Sequence, residues 1–434
     1  MDRRKFLSLA ALAGFGVASP VVFGRTRKGN HVYEPVALEP YAGTFFVLVH
    51  AGGGWDPTSL CDPKGRNSED EVDPMNQSYF AADIEEAGNI RYAPLGTDDQ
   101  PNAMRDFFTK HYERLLVING INMRTNGHDG GTRHIASGRL AEGFPAFGAL
   151  HSASRGRDLP MSYLSFGGYD ETMGLVARTR SGNTNALARI AYPDRYNTDN
   201  ELDTFHSSAA NSLIKAAEEE RYNKLRETER LPRTQHALDL LWSGKAGSEE
   251  LKKLQQYLPE LSNDGFQRQA QVALAAYKAG IATSVNMSIG GYDTHGNHDA
   301  AHIPRLINLL NGVDFIFEEA QRQGVWQNVV VFVGSDFGRT PGYNEGNGKD
   351  HWPISSAMLM GAGIQGNRVI GASDERHSAR TVNPSNLQVD DGGIFVEPHH
   401  IHQDLRKLAG ISDNELSRQF PILIPDDEQM TLFA

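Results

Sequence analysis

A short apolar run at residues 329–333 (VVVFV) ends abruptly at a serine and an aspartate, Ser335 and Asp336. Such a run predicts a β-strand that is buried on both faces, as in a parallel sheet. The loop that follows is rich in glycine and asparagine and ends at Asp350 and His351. Because open α/β sheets build their sites at the carboxyl ends of strands, this stretch predicts a fold and the edge that carries the chemistry.

Several other segments alternate between strand and helix patterns. Residues 44–49, 114–119, 285–289 and 355–360 are predicted strands. Residues 102–112 and a segment that stops at Gly138 are predicted helices, and a third has an amphipathic stripe from Ile303 to Phe317 with Pro304 in its first turn. The alternation predicts an α/β fold with a mostly parallel sheet and helices on both faces.

Residues 203–281 differ from the rest of the chain. They are rich in Ala, Glu, Lys, Leu and Gln, and the spacing of Leu238, Leu241 and Trp242 is helical. We interpret this stretch as a helical insertion. We expect it to pack against the sheet, and a cap over the site is the alternative.

Composition narrows the function. A net charge of −12 argues against nucleic acid or an anionic membrane surface as the main partner. The single cysteine, Cys61, excludes an internal disulfide and a thiolate metal cluster. With 16 histidines in the chain, any metal site is expected to use imidazole and carboxylate ligands.

The first residues have the pattern of a targeting segment. Arg3 and Arg4 precede Lys-Phe-Leu and an apolar, glycine-containing stretch that is short for a membrane span. This pattern resembles a twin-arginine signal. We therefore expect a signal at residues 1–28, one α/β domain at residues 29–434, no transmembrane segment in the mature protein, and a periplasmic location.

Four predicted strands lead into loops that carry histidine and aspartate. In a parallel sheet these loops project from one edge and can converge. Carboxylate and imidazole together suit Zn, Mn or Fe, and carboxylate-rich sites can take Mg or Ca. The candidates are His50 and Asp56 in the first loop, His128 in the second, Asp293, His295 and His298 in the third, and Asp336, Asp350 and His351 in the fourth.

Three motifs point to a known family. They are Gly-Gly-Tyr-Asp-Thr-His at residues 290–295, Ser-Asp-Phe-Gly-Arg-Thr at 335–340 and Gly-Lys-Asp-His-Trp-Pro at 348–353. They resemble the exported bacterial family called domain of unknown function 1501, within the alkaline phosphatase and sulfatase superfamily. The resemblance runs from about residue 40 to 425. It implies a three-layer sandwich of the alkaline phosphatase type, with two metals that clamp a phosphoryl or sulfuryl group.

The chain departs from the superfamily pattern at two positions. When the sequences are aligned on the pair Gly138 and Arg139, His128 stands where the superfamily has its nucleophile. Phe337 follows Asp336, where catalytic relatives commonly have histidine, and His128 is expected to supply the missing nitrogen. The resemblance then implies one site of Asp293, His351 and His295 or His298, and another of Asp336, His128 and Asp56 or His50.

These departures shape the predicted reaction. We expect an exported hydrolase that uses one or two divalent metals (Zn, Mn, Mg or Ca) and metal-activated water to cleave a small anionic ester. His128 and Arg339 are the predicted catalytic residues, with Arg339 as a bidentate donor to the anion or, alternatively, an ion pair behind the strand. The other hypothesis is a non-catalytic metal-binding or assembly protein with an exported protein partner.

Overall fold

An eight-stranded sheet forms the centre of the computed structural model, which describes residues 39–180, 183–198, 200–246 and 248–433. The expected signal segment lies outside these residues. Among the described residues, no helix has the length and apolar character needed to cross a membrane. The strands, including those of two small ribbons, are β1 Phe45–Gly52, β2 Glu85–Ala87, β3 Ile90–Tyr92, β4 Leu115–Asn122, β5 Tyr163–Ser165, β6 Arg178–Thr179, β7 Ser284–Gly290, β8 Val329–Ser335, β9 Gly338–Arg339, β10 His351–Trp352, β11 Ile354–Gly361 and β12 Arg368–Ile370.

The sheet order is β12-β4-β11-β8-β1-β7-β5-β6, and every neighbouring pair is parallel except those of β11. The connection from β8 to β11 contains no helix, and only an antiparallel strand can follow without a long crossover. β11 therefore begins at the edge where β8 ends. This reversal keeps His351, just before β11, beside the loop that follows β8.

Two hydrophobic cores lie on opposite faces of the sheet, because successive side chains of β1 point in opposite directions. Phe45 and Val47 belong to one core, and Phe46 and Leu48 belong to the other. The structure is thus a three-layer α/β sandwich, as predicted. The helices are α1 Ala103–His111, α2 His128–Ser137, α3 Phe147–Arg155, α4 Thr184–Ala191, α5 Ser208–Thr228, α6 Pro232–Ala246, α7 Ser248–Tyr257, α8 Gly265–Lys278, α9 His298–Gln323, α10 Pro398–Leu408 and α11 Glu415–Gln419.

The segment predicted as a helical insertion contains helices α5 to α8. α8 is largely buried and contacts α9 and β7, so this part packs against the sheet. α5 is different, because Tyr222 is the one buried residue in its 21 described residues. The insertion therefore combines a helix that completes the core with one that lies on the surface.

The start of α9 corrects one prediction. Pro304 is the seventh residue of this helix and does not lie in its first turn. The helix starts earlier because Asn297 adopts a left-handed conformation (φ 46°) and the His298 N–H donates to the Asn347 carbonyl at 2.8 Å. A loop from a distant part of the chain thus caps the helix.

Candidate metal centre

The parallel strands β1, β4, β7 and β8 deliver polar side chains to one edge of the sheet, as the sequence predicted. His50 lies near the end of β1, Asp336 follows β8 directly, and Asp293 follows β7 by three residues. The residues that the structure brings into one connected cluster are His50, His128, Asp293, His295, Asp336, Asp350 and His351.

Asp336 anchors one side of the cluster. Its carboxylate lies 2.5 Å from His50 Nε2 and 2.7 Å from His128 Nδ1, and it accepts the Gly53 N–H at 3.1 Å. Burial raises the pKa of Asp336, but hydrogen bonds and charge from His50 and His128 outweigh that effect and lower it. The carboxylate is therefore ionised and acts as a hydrogen-bond acceptor at neutral pH.

Asp293 lies at the centre of the cluster. Its Oδ1 is 2.8 Å from an Arg339 nitrogen, 2.9 Å from His295 Nε2 and 3.0 Å from His351 Nε2. His128 Nε2 lies 3.5 Å from Oδ2. Burial raises the pKa of Asp293, yet the hydrogen bond and the positive charge of Arg339 hold it well below its ordinary value.

Three of these histidines are held through the Nδ1 atom. His128 Nδ1 contacts Asp336 at 2.7 Å, and His295 Nδ1 contacts Asp350 at 2.7 Å. His351 Nδ1 lies 2.8 Å from the carbonyl oxygen of Asn126. A carboxylate or a carbonyl can only accept, so each Nδ1 carries the proton. In the neutral imidazole each Nε2 then carries a lone pair, which is available to a cation bound beside Asp293.

This arrangement fits a divalent cation. Nε2 atoms of His295 and His351 are 3.1 Å apart, and ligand atoms of His128, Asp293 and His351 lie within 4.8 Å of one another. In their neutral form these imidazoles direct nitrogen lone pairs toward one another and toward a carboxylate, an arrangement that a cation between them stabilises. Histidine rings oriented through the other nitrogen are typical of metal ligands, and three nitrogens with one oxygen suit Zn or Mn.

The cluster is open to solvent on one side. The side chains of His128, Asp293 and His295 are 40%, 44% and 46% exposed. Asp336 beneath them is only 3% exposed. A small molecule can therefore reach Nε2 of the histidines, whereas the anchoring carboxylate is protected.

The structure does not bring Asp56, the alternative to His50, into this cluster. Asp56 is fully buried and forms an ion pair with Lys349 at 2.6 Å. His298 is also fully buried and lies 3.2 Å from the same carboxylate. His50 is thus the residue beside Asp336, and His295 is the third-loop histidine beside Asp293.

Arg339 is completely buried, which corrects its expected role as an anion-binding residue. It donates to the carbonyls of Gly53, Gly54 and Lys349 and to Asp293. The guanidinium therefore makes these hydrogen bonds within the protein itself. Arg339 does form an ion pair, as in the alternative interpretation, but its partner is Asp293 in the cluster.

Phe337 stands at the position where the catalytic relatives were expected to have an additional histidine. Its ring is fully buried, and its centroid lies 4.9 Å from that of His128 and 4.5 Å from that of His351.

Three residues that hold the cluster in place, Asn126, Thr294 and Lys349, were not predicted from the sequence. Thr294 and Lys349 each lie inside one of the three motifs quoted above, which was the available signal.

Comparison with known proteins gives one strong match. The family model described as "Protein of unknown function (DUF1501)" matches residues 45–420. None of the curated proteins matches the chain significantly.

Solved structures with similar folds are remote in sequence. The alkaline phosphatase of the Antarctic bacterium TAB5 is 9% identical with a TM-score of 0.34, over 85% of this chain and 98% of that one. A protein of Bacteroides thetaiotaomicron glycosaminoglycan metabolism is 11% identical with a TM-score of 0.35, over 91% and 77%. The sulfatase PsFucS1 from Pseudoalteromonas sp. is 10% identical with a TM-score of 0.32, over 90% and 76%.

Proposed function

This chain belongs to the DUF1501 family of proteins of unknown function, and we propose that it is an exported metal-dependent hydrolase of the phosphatase and sulfatase type. It cleaves a small anionic ester with metal-activated water. The observation that carries this proposal is the set of three histidines held through Nδ1, whose Nε2 atoms face the Asp293 carboxylate. With neutral imidazoles, this set gathers three nitrogen ligands around one carboxylate, which is a donor set that a divalent cation can use.

The ligands we assign are His128, Asp293, His295 and His351, for one divalent ion, Zn or Mn. Bound there, the metal would polarise an ester oxygen and lower the pKa of water toward about 7. Asp336 and Asp350 keep the histidine rings in the tautomer that presents Nε2.

Attack by water suits this chain better than a covalent intermediate. His128 stands where a nucleophile was expected, and its two nitrogens face Asp336 and Asp293. Arg339 keeps Asp293 ionised through a hydrogen bond at 2.8 Å. These residues therefore bind and orient, and the attacking oxygen comes from solvent, which the exposed side of the cluster admits.

One observation favours the second candidate, a non-catalytic metal-binding or assembly protein. Arg339 is fully buried and donates to backbone carbonyls, so it does not offer an anionic ester a partner. A metal held by the same four residues would then act as a structural clip between loops.

The test is elemental analysis of protein purified from its exported location without chelators. We expect about one Zn or Mn per chain, and H351A and D293N should lower metal affinity by about 100-fold or more, since each removes a ligand. H206A, at an exposed position away from the cluster, should bind metal normally. Protein that contains no metal and takes up none would contradict the proposal.

Activity separates the two candidates. The hydrolase should cleave phosphate or sulfate esters, lose activity with a chelator and regain it with Zn or Mn. Stable metal with no turnover in that screen would favour the assembly protein. Full activity without metal would contradict both.

A further inference from the structure

Beneath the metal centre lies a second polar cluster that the proposed reaction does not use. Its members come from the loops after β1 and β7, from α9, and from the loop before β10. Each is buried, with relative exposures of 0 to 6%. They are Asp56, Thr58, Thr294, His298, His302 and Lys349.

The hydrogen bonds of this cluster form a closed ring with one consistent set of directions. The Asp56 N–H donates to His302 Nε2 at 2.9 Å, so His302 carries its proton on Nδ1. That Nδ1 lies 3.0 Å from Thr294 Oγ1, and Thr294 Oγ1 lies 2.7 Å from His298 Nδ1. His298 Nε2 returns to the Asp56 carboxylate at 3.2 Å.

One ion pair, with Lys349, balances the negative charge of the Asp56 carboxylate in this ring of hydrogen bonds. Lys349 Nζ donates to Asp56 Oδ2 at 2.6 Å, while Thr58 donates to Oδ1 through its N–H at 2.9 Å and its hydroxyl at 2.6 Å. Burial lowers the pKa of His302, which keeps its imidazole neutral. A buried network whose members are all paired is rigid, because any change leaves a polar group unsatisfied.

The network is joined directly to the residues assigned to the metal. Thr294 lies between Asp293 and His295 in the chain, and Lys349 immediately precedes Asp350 and His351. The Lys349 N–H donates to the Thr294 carbonyl at 3.1 Å. The two loops that carry three of the four proposed ligands are therefore fixed to each other through this pair.

We propose that the ring around Asp56 and Lys349 is a positioning device that holds the two ligand loops at the spacing the metal requires. This inference rests on the proposed function. Neither residue touches the metal or the substrate; both act through the neighbouring ligands. Breaking the ring should weaken metal binding more than it weakens the fold, since the loops would remain attached to their strands.

Substitutions at Thr294 test the ring without adding or removing charge. T294V keeps the shape but leaves His302 Nδ1 and His298 Nδ1 without their shared hydroxyl. Co²⁺ titration should show affinity lowered by about 10-fold or more and altered d–d bands, as for other groups that orient ligands. T294S retains the hydroxyl and should restore binding to within about 3-fold. Thermal unfolding of the metal-free variants measures the purely structural effect.

A matched pair of lysine substitutions tests the ion pair. Lys64 also pairs with a buried aspartate, Asp62, at 3.0 Å, but it lies outside both ligand loops. K349M should weaken Co²⁺ binding, whereas K64M should leave it unchanged. Wild-type affinity in T294V, or equal losses in K349M and K64M, would overturn the positioning role. Wild-type protein that binds no Co²⁺ would instead overturn the proposed function, and this inference with it.

Discussion

Phe337 is the residue that most distinguishes this centre from the pattern its motifs resemble. The ring lies against two proposed ligands, His128 and His351, and has no exposed surface. Phe337 gives the imidazoles of His128 and His351 an apolar neighbour and offers no donor atom to a metal. His50 and Asp336 lie together beside His128, at residues that the resemblance assigns to a second metal site. Phe337, the residue directly after Asp336, adds no donor to this part of the cluster.

F337H should add a nitrogen donor at the residue directly after Asp336, against the ring of His128. We expect the number of bound Co²⁺ ions to rise from about one to about two per chain, with the second bound more weakly, because aspartate and two imidazoles would then share a site. Equilibrium dialysis with elemental analysis measures the change. F332H is the control, because Phe332 lies five residues earlier, on β8, and its ring packs near His402. A stoichiometry of one in F337H would show that Phe337 does not set the metal number.

At the scale of single residues, the sequence predicted the residue types and the edge where they meet. His50, His128, Asp293, His295, Asp336 and His351 were all candidates, and the structure places them in one cluster. Asp56 was misplaced because its partner, Lys349, lies 293 residues away in the chain. Whether a carboxylate meets a buried ammonium or a metal depends on long-range packing that local spacing does not encode.

Among the structural elements, the turn after β1 shows how backbone shape supports the centre. Gly54 has a positive φ of 81°, and a Cβ there would lie 2.5 Å from Phe337 Cε2. The Gly54 carbonyl also accepts from Arg339. Glycine is therefore required twice at this position, once for the backbone conformation and once for the ring that packs on it.

G54A should lower the free energy of unfolding by about 2–5 kcal/mol, from left-handed strain plus overpacking. G324A is the matched control, with a φ of 74° and open space around its Cβ. It should cost only the strain, about 1–2 kcal/mol. Urea unfolding of the metal-free proteins measures both. Equal losses would mean that contact with Phe337 adds nothing.

The order of elements was also largely predictable, and the exceptions have physical causes. Strand runs, the helix that ends at Gly138, and the helical insertion followed from periodicity and capping. The start of α9 did not, because the Asn347 carbonyl that caps His298 comes from a separate loop. Nor did the reversed direction of β11, since the pattern of a short buried strand is compatible with either direction.

On the scale of the whole molecule, buried histidines make stability depend on pH well away from the metal centre. Burial lowers the pKa of His151 and of His402 to about 3. Free histidine titrates near 6.5, so the unfolded chain takes up these protons first as the pH falls. Between about pH 6.5 and 4 the unfolded state binds more protons, and stability must decrease as the medium becomes more acidic.

His151 allows this linkage to be measured at one position. The ring lies 4.8 Å from Phe46 and 6.1 Å from Phe147, and its Nδ1 finds no hydrogen-bond partner among the described residues. H151F keeps an aromatic ring there and removes the titrating group. Tyr41 still donates to the Thr44 carbonyl at 2.8 Å, so no donor is stranded.

We therefore expect the stability of H151F, relative to wild type, to rise by roughly 2–3 kcal/mol between pH 6.5 and 4.5. The sign follows because His151 takes up a proton at a lower pH in the folded state than in the unfolded state. The free energy of unfolding of the wild type therefore falls as the pH decreases, and H151F lacks this contribution. Urea unfolding of chelator-treated protein at several pH values measures it, with H206A at an exposed position as control. Parallel pH profiles for wild type and H151F would show that the fold admits a proton at His151 as readily as the unfolded chain does.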